Sequence, residues 1–300
     1  MHAELWPELP LDQWEATRDT IHMWTQIAGK IRLAQTPKLN HWWNVTLYLT
    51  PRGLTTSAMP WESESFSIDF DFIDHQLVIA ASGGARRSIP LIARPVAEHY
   101  RELMSTLDAL GIHPRFSTLP AELDHPIRFE KDTTHASYDA AFAHRFWRAL
   151  VQVDRVMEIF RARFVGKSSP VHFFWGSFDL AVTRFSGRSA PKHPEWGVIE
   201  REAYSHECSS VGFWPGGGKI REAMFFSYAA PAPEGFGDAT VRPPEAFFSR
   251  DSGLFLLSYD IVRRAADPDA MLLDFFQSTY EVAAELGKWD RAALEIPGTK

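Results

Sequence analysis

Residues 40–60, NHWWNVTLYLTPRGLTTSAMP, and residues 171–191, VHFFWGSFDLAVTRFSGRSAP, can be laid over one another without a gap. His41 then falls on His172, Trp42–Trp43 on Phe173–Phe174, Leu49 on Leu180 and Pro60 on Pro191. An internal repeat is the strongest single constraint on architecture, because each copy must become a unit with an apolar face to bury. The echo continues downstream. AYSHECSS (203–210) can be laid on SFSIDFDF (65–72), setting Tyr204 on Phe66, Ser205 on Ser67 and Glu207 on Asp69. A longer linker around KHPEWGV absorbs the change of offset.

Periodicity predicts the same element order in both copies. In residues 11–33, Trp14, Thr17, Ile21, Trp24, Ala28 and Ile31 recur at helical spacing. Trp43, Val45, Leu47 and Leu49 alternate with Asn44, Thr46, Tyr48 and Thr50, the pattern of a strand. FSIDFDF (66–72), HQLVIAAS and ARRSIPL continue as strands, and a helix starting near Pro95 runs to Gly111. The second copy opens on a long helix over 138–164. Its strands are VHFFWGSFDLAVTRF, AYSHECSS, AMFFSYAAP and LFLLSY, and its last helix ends at Gly287. The expected fold class is α+β: two pseudo-equivalent halves, residues 1–125 and 126–300, each helix–four strands–helix. Mainly antiparallel sheets carry helices on their outer faces, all in one compact unit. The alternative is two unrelated α+β domains that share generic strand patterns.

Several long stretches resemble an uncharacterised bacterial family known only as a domain of unknown function. They are WPELPLDQWEATRDTIHMWTQIAGKIRLAQTPKLNHWWNVTLYLTPRGL, IDFDFIDH, SPVHFFWGSFDLAVTRFSGR and REAYSHE followed by GFWPG. The resemblance covers nearly the whole chain. It implies one whole-chain folding unit, and it carries over no activity and no site residue.

With 45% hydrophobic and 23% charged residues in 300, the chain can bury a sizeable core. Its 11 Trp and 22 Phe are enough to line a ligand pocket as well. A net charge of −7 and the lack of a basic stripe argue against nucleic acid as partner. The opening MHAELWPELP lacks the basic and apolar regions of a signal peptide, and no apolar run is long enough to span a bilayer. A single cysteine, Cys208, suits a reducing compartment. The expectation is a cytoplasmic protein that engages neither membrane nor nucleic acid and takes a small-molecule ligand.

Candidate site residues come from strand alternation. Pairing 42–50 with 66–72 would gather Trp42, Asn44, Thr46 and Tyr48 beside Ser67, Asp69 and Asp71. Pairing 173–184 with 203–210 would gather Phe173, Trp175, Ser177, Asp179 and Thr183 beside Ser205, Glu207 and Ser209. These faces read either as pocket walls or as the solvated sides of antiparallel sheets. Trp42 and Trp175 favour the pocket. In it, Asp69, Asp179 and Glu207 would do acid–base work, because crowded or desolvated carboxyls titrate near neutrality. Trp42, Asn44, Tyr48, Trp175 and Ser177 would hold substrate, and Arg184 would clamp an anionic group.

A divalent metal is the minority reading. His172, His206 and Glu207 supply ligand types, but no recognised spacing connects them. His41 and His172 equally read as core histidines. WPGGGK (214–219) satisfies no nucleotide-loop pattern, and Cys208 reads as buried and inert. Asp132, His135, Tyr138 and Asp139 read as the cap of the long second helix. Three functions follow: an enzyme on a small polar or acidic metabolite in a cleft between the halves, a non-catalytic binding or sensor module using the same cleft, or a metal-dependent enzyme. A scaffold with merely wet polar faces is the structural alternative.

Overall fold

The computed structural model describes residues 5–297. It is a mixed α and β protein with two antiparallel sheets and seven helices among the described residues. The first long helix, α1 (Leu11–Gln35), has no solvent side through most of its length: from Thr20 to Arg32 every residue but His22 is buried. It therefore serves as a central beam rather than an outer cover. Several of its buried polar side chains find partners, as burial demands. Thr25 bonds the carbonyl of His22, and Gln26 both donates to and accepts from the backbone of Ala121.

The first sheet contains β1 (Tyr48–Thr50), β2 (Gly53–Thr55), β4 (Glu64–Asp71), β5 (Gln76–Ala81) and β6 (Arg86–Pro90), paired in that order. A short β3 (Met59–Trp61) pairs further along β4. Alternation works as expected here. Leu54, Phe70, Leu77 and Ile89 stand opposite one another across four strands, and all are buried. Helix α2 (Val96–Asp108) follows, with its His99 stacked on Trp24 of α1 at 4.6 Å.

After α2 the Pro- and Asp-rich segment 113–135 straps across α1 through Ala121 and buries Phe129, so it is more than a linker. Helix α3 (Ala140–Ala162) begins at Asp139, whose carboxylate accepts from the backbone N–H groups of Ala141 and Phe142. Asp132 accepts from the Thr134 and His135 backbones and from the His135 ring. Of the four residues expected to cap this helix, Asp139 alone does so; Asp132 and His135 order the preceding loop, and Tyr138 bonds His75.

The second sheet holds β7 (His172–Phe174), β8 (Asp179–Ser189), β9 (His206–Trp214), β10 (Met224–Ala230), β11 (Phe247–Ser249) and β12 (Leu254–Ser258), in the spatial order β7-β8-β9-β10-β12-β11. Between β8 and β9 lies a short helix, α4 (Val198–Ala203). The chain ends in α5 (Tyr259–Arg264), α6 (Pro268–Leu286) and α7 (Arg291–Leu294). One sheet face, with Leu180, Phe213, Phe225 and Leu257 in register, packs on α3 and α6. No helix among the described residues is long and apolar enough to cross a membrane.

The two sheets meet where Leu47 and Phe173 exchange both backbone hydrogen bonds at 2.9 Å. Each sheet has six strands, not four: β2, β3 and β11 form where no strand was expected, and the expected strand over 171–185 splits into β7 and β8. Asn40–Trp42 is a 3-10 turn in which His41 and Trp42 take positive φ, and Trp175–Phe178 is a turn closed by Phe178 at φ 61°. Segment 42–50 does not pair with 66–72; β2 and β3 do. The ungapped overlay also sets β1 on the first residues of β8, whereas sheet order places β1 at the junction edge, beside β7.

Candidate functional site: a cleft on the outer face of the second sheet

The face of the second sheet turned away from α3 and α6 is partly walled by other segments of the chain. A cleft of about 670 Å³ lies on it. Register defines the floor: Ala181, Gly212, Phe226 and Leu256 stand in one row, and Thr183, Ser210 and Tyr228 in the next. The walls come from both sides of residue 125. They are the end of α1 with Lys30 and Leu33, the turn at His41–Trp43, the strap at Ala121–Glu122, and α4 with the following Tyr204.

The walls are tied to one another. Trp42 Nε1 donates to the Ile199 carbonyl at 3.1 Å, His41 Nδ1 lies 3.0 Å from the Ala203 carbonyl, and the His41 backbone N–H donates to Glu202 at 3.1 Å. These bonds hold α4 over the cleft. Trp175 forms part of the inner wall. Its indole N–H donates to Val45 at 2.7 Å, and its ring lies flat on Gly29, where an added Cβ would sit 2.2 Å from the ring. Four non-glycine residues with positive φ lie in this region: His41, Trp42, Glu122 and Phe178. Such conformations persist only where surrounding structure imposes them.

Two carboxyls share the cleft. Asp179, the first residue of β8, is 8% exposed and accepts a hydrogen bond from the Ser177 hydroxyl. Burial, against the Ser177 bond and with the nearby Glu122 charge, pushes it up to about 7. Burial, then Glu200, also raises Glu122. Glu122 lies so close to Gly176 that a Cβ there would be 1.9 Å from its Oε1. On the cationic side, burial lowers Lys30. The floor hydroxyls form a polar stripe, with Thr183 and Ser210 at 2.9 Å and Tyr204 donating to Tyr228 at 3.4 Å. Burial pushes the Cys208 thiol up to about 12, which leaves it a poor nucleophile.

The family described as "Family of unknown function (DUF5996)" matches residues 6–296. The chain belongs to DUF5996. No curated protein and no solved structure matches it.

Of the residues singled out in the sequence, this DUF5996 chain brings Trp42, Trp175, Ser177, Asp179 and Thr183 into the cleft, with His41 and Cys208. The others lie elsewhere. Asp69 is on the open side of the first sheet, bonded by Thr55 and Ser67. Asn44 fastens the exit of α1 through Leu39 and Thr36. Tyr48 reaches His172 at 3.4 Å near the sheet junction. Glu207 is on the helix side of β9, held by Ser186 and Arg188. Arg184 does not stand beside Asp179. It is wholly buried on the helix side, 3.5 Å from the Phe160 ring centroid and 4.3 Å from that of Tyr280, donating to the Phe160 carbonyl. Burial pushes it down to about 9, which leaves it charged at neutral pH.

Among the described residues no three His, Cys, Asp or Glu side chains gather as a metal site. His172 is pushed down to about 3 by burial and then by Arg32, and His206 lies against Ser205 and the His41 ring. Lys30, Glu122, Tyr204 and Tyr228 are cleft residues that strand patterns could not find. Lys30 alone left a trace, since MWTQIAGKIR offers no broad polar face and so signals burial all round.

Proposed function

We propose that this protein binds a small, mainly apolar molecule in the cleft on its second sheet. The observation that carries this is the cleft itself: a sheet face with Phe226 and Leu256 on its floor and Trp175 and Trp42 in its walls is left uncovered by any helix pair. A few polar groups converge at its edge. Pockets of this size and composition are the usual form of small-molecule sites. The ligand is less polar than the metabolite expected from strand alternation, because Asp69, Glu207 and Arg184 are not there to receive it.

A neutral fluorophore such as N-phenyl-naphthylamine tests the reading. It should bind saturably, one per chain, and quench cleft tryptophans. Ala181→Trp, which fills the floor, should abolish that binding while the fold is retained. Binding unaltered by the filled floor would overturn the proposal.

Catalysis is the second reading, favoured by the setting of Asp179: it is buried beside the Ser177 hydroxyl, where burial raises it to about 7, as suits a general acid–base. The enzyme would then use Asp179 with Glu122, and Asp179→Asn would keep ligand binding but lose turnover. We further propose that the halves share an ancestor. Both sheets run outward from the Leu47–Phe173 junction by successive hairpins, β1-β2-β4-β5 and β7-β8-β9-β10, which supports a correspondence of β1 with β7. A cytoplasmic setting fits the single, buried Cys208.

A further inference from the structure

Four cationic side chains are buried among the described residues: Lys30, Arg32, Arg184 and Arg263. Three have acceptors. Arg32 donates to the Thr56 carbonyl, Arg184 to that of Phe160, and Arg263 to Glu8 and Asp260 at 2.6 Å. Lys30 has none. It is 9% exposed and lines the cleft, with its ammonium 5.9 Å from the Trp175 ring centroid. No carboxylate pairs with it, and burial alone lowers its pKa, with no negative charge acting against it. The stem of Lys30 is buried while its ammonium, paired with no carboxylate, faces the cleft, where it can receive an anion from outside the chain.

We propose that the ligand of this cleft carries a carboxylate, which Lys30 receives while the apolar body lies along the aromatic floor. This rests on the reading of the cleft as a ligand site. One ammonium among Leu33, Val45 and Trp175 balances one negative charge. A phosphate dianion would need a second cation or a guanidinium fork, and neither lines the cleft. The two carboxyls do not reverse the choice. Asp179 already has the Ser177 hydroxyl, and burial raises both it and Glu122, which disfavours their charged forms.

Three probes of one skeleton test the proposal: naphthylacetic acid, naphthylacetamide and naphthylethylamine, titrated by tryptophan quenching. The acid should bind at least about tenfold tighter than the amide, the gain of one charge-assisted hydrogen bond. Lys30→Gln should bring the acid to the level of the amide without weakening the amide, and Lys30→Arg should keep the preference. Without ligand, Lys30→Gln should melt no lower than the wild type, since the ammonium has no hydrogen-bond partner among the described residues to lose; a merely structural lysine would give a clear fall. An amide as tight as the acid, or an amine tighter than both, overturns the carboxylate and leaves the cleft reading standing. Failure of all three probes to bind saturably removes both. The wild-type series alone decides if the Gln variant does not fold.

Discussion

Asp179 holds its carboxyl where the charged form is disfavoured, and this has a consequence for stability. An acid whose folded pKa lies above its unfolded value binds its proton more tightly when folded. Its contribution is therefore complete below the ordinary value of 3.8 and is lost as pH climbs to about 7. Asp179→Asn keeps an acceptor for Ser177 and removes that loss. The variant should exceed the wild type by up to roughly 4 kcal/mol at about pH 8, with the gap closing toward about pH 4. Denaturant melts at the two pH values measure this; a wild type that is the more stable at the higher pH would mean a paired carboxylate. Arg184, by contrast, is a core residue, and two of its guanidinium nitrogens lack any partner. Arg184→Met should leave the melting temperature level or higher and leave cleft binding intact, whereas a ligand clamp would require binding to be lost. The assignment of Arg184 fails in the sequence for a reason the sequence contains. Asp179 and Arg184 are an odd number of positions apart on one strand, so they face opposite sides. Glu207 fails for a reason it does not contain. The pairing of Thr183 with Ser210, and the irregularity between Phe185 and Ser189, put Cys208 rather than Glu207 on the cleft side.

At the scale of elements, period was legible and continuity was not. The long helices and the strands β4, β5, β6, β10 and β12 fall where their apolar periods place them, while β9 starts three residues later and runs four further than expected. The strands over 42–50 and 171–185 do not, because alternation continues across residues 40–47 and 175–178 while the backbone turns. Positive φ at Trp42 and Phe178 has no sequence signal, both residues being poor at it. Gly29 shows how closely α1 and the β7–β8 turn are fitted. A Gly to Ala change inside a helix ordinarily stabilises by about 1 kcal/mol. At this position the new methyl collides with the Trp175 ring, which is anchored to Val45 and walls the cleft. Gly29→Ala should therefore destabilise, by about 1–3 kcal/mol as an overpacked site does, and weaken probe binding by displacing Trp175. A melting temperature raised by the change would show that the wall yields without cost.

At the scale of the whole molecule, the two sheets look separable on paper, joined edge to edge by one residue pair, yet a single hydrophobic core runs through both. The reason lies in the first residues. Trp6 packs on Phe225 and Tyr259 of the second half, and the Tyr259 hydroxyl donates to the Pro7 carbonyl at 2.8 Å. Trp14 of α1 stacks on Phe142 and Phe146 of α3. The start of the chain thus completes the core formed by its end, while the cleft takes walls from both. Residues 126–300 produced alone would expose the faces that Trp6 and Trp14 cover. They should form a state with helix and strand but no fixed aromatic packing, with strong dye binding and little near-ultraviolet dichroism. The full chain should then unfold in one transition, with far-ultraviolet dichroism and tryptophan emission changing together. Two resolved transitions, or a second half with sharp near-ultraviolet bands, would mean that each sheet carries its own core, and that the cleft between them is free to open as the halves part.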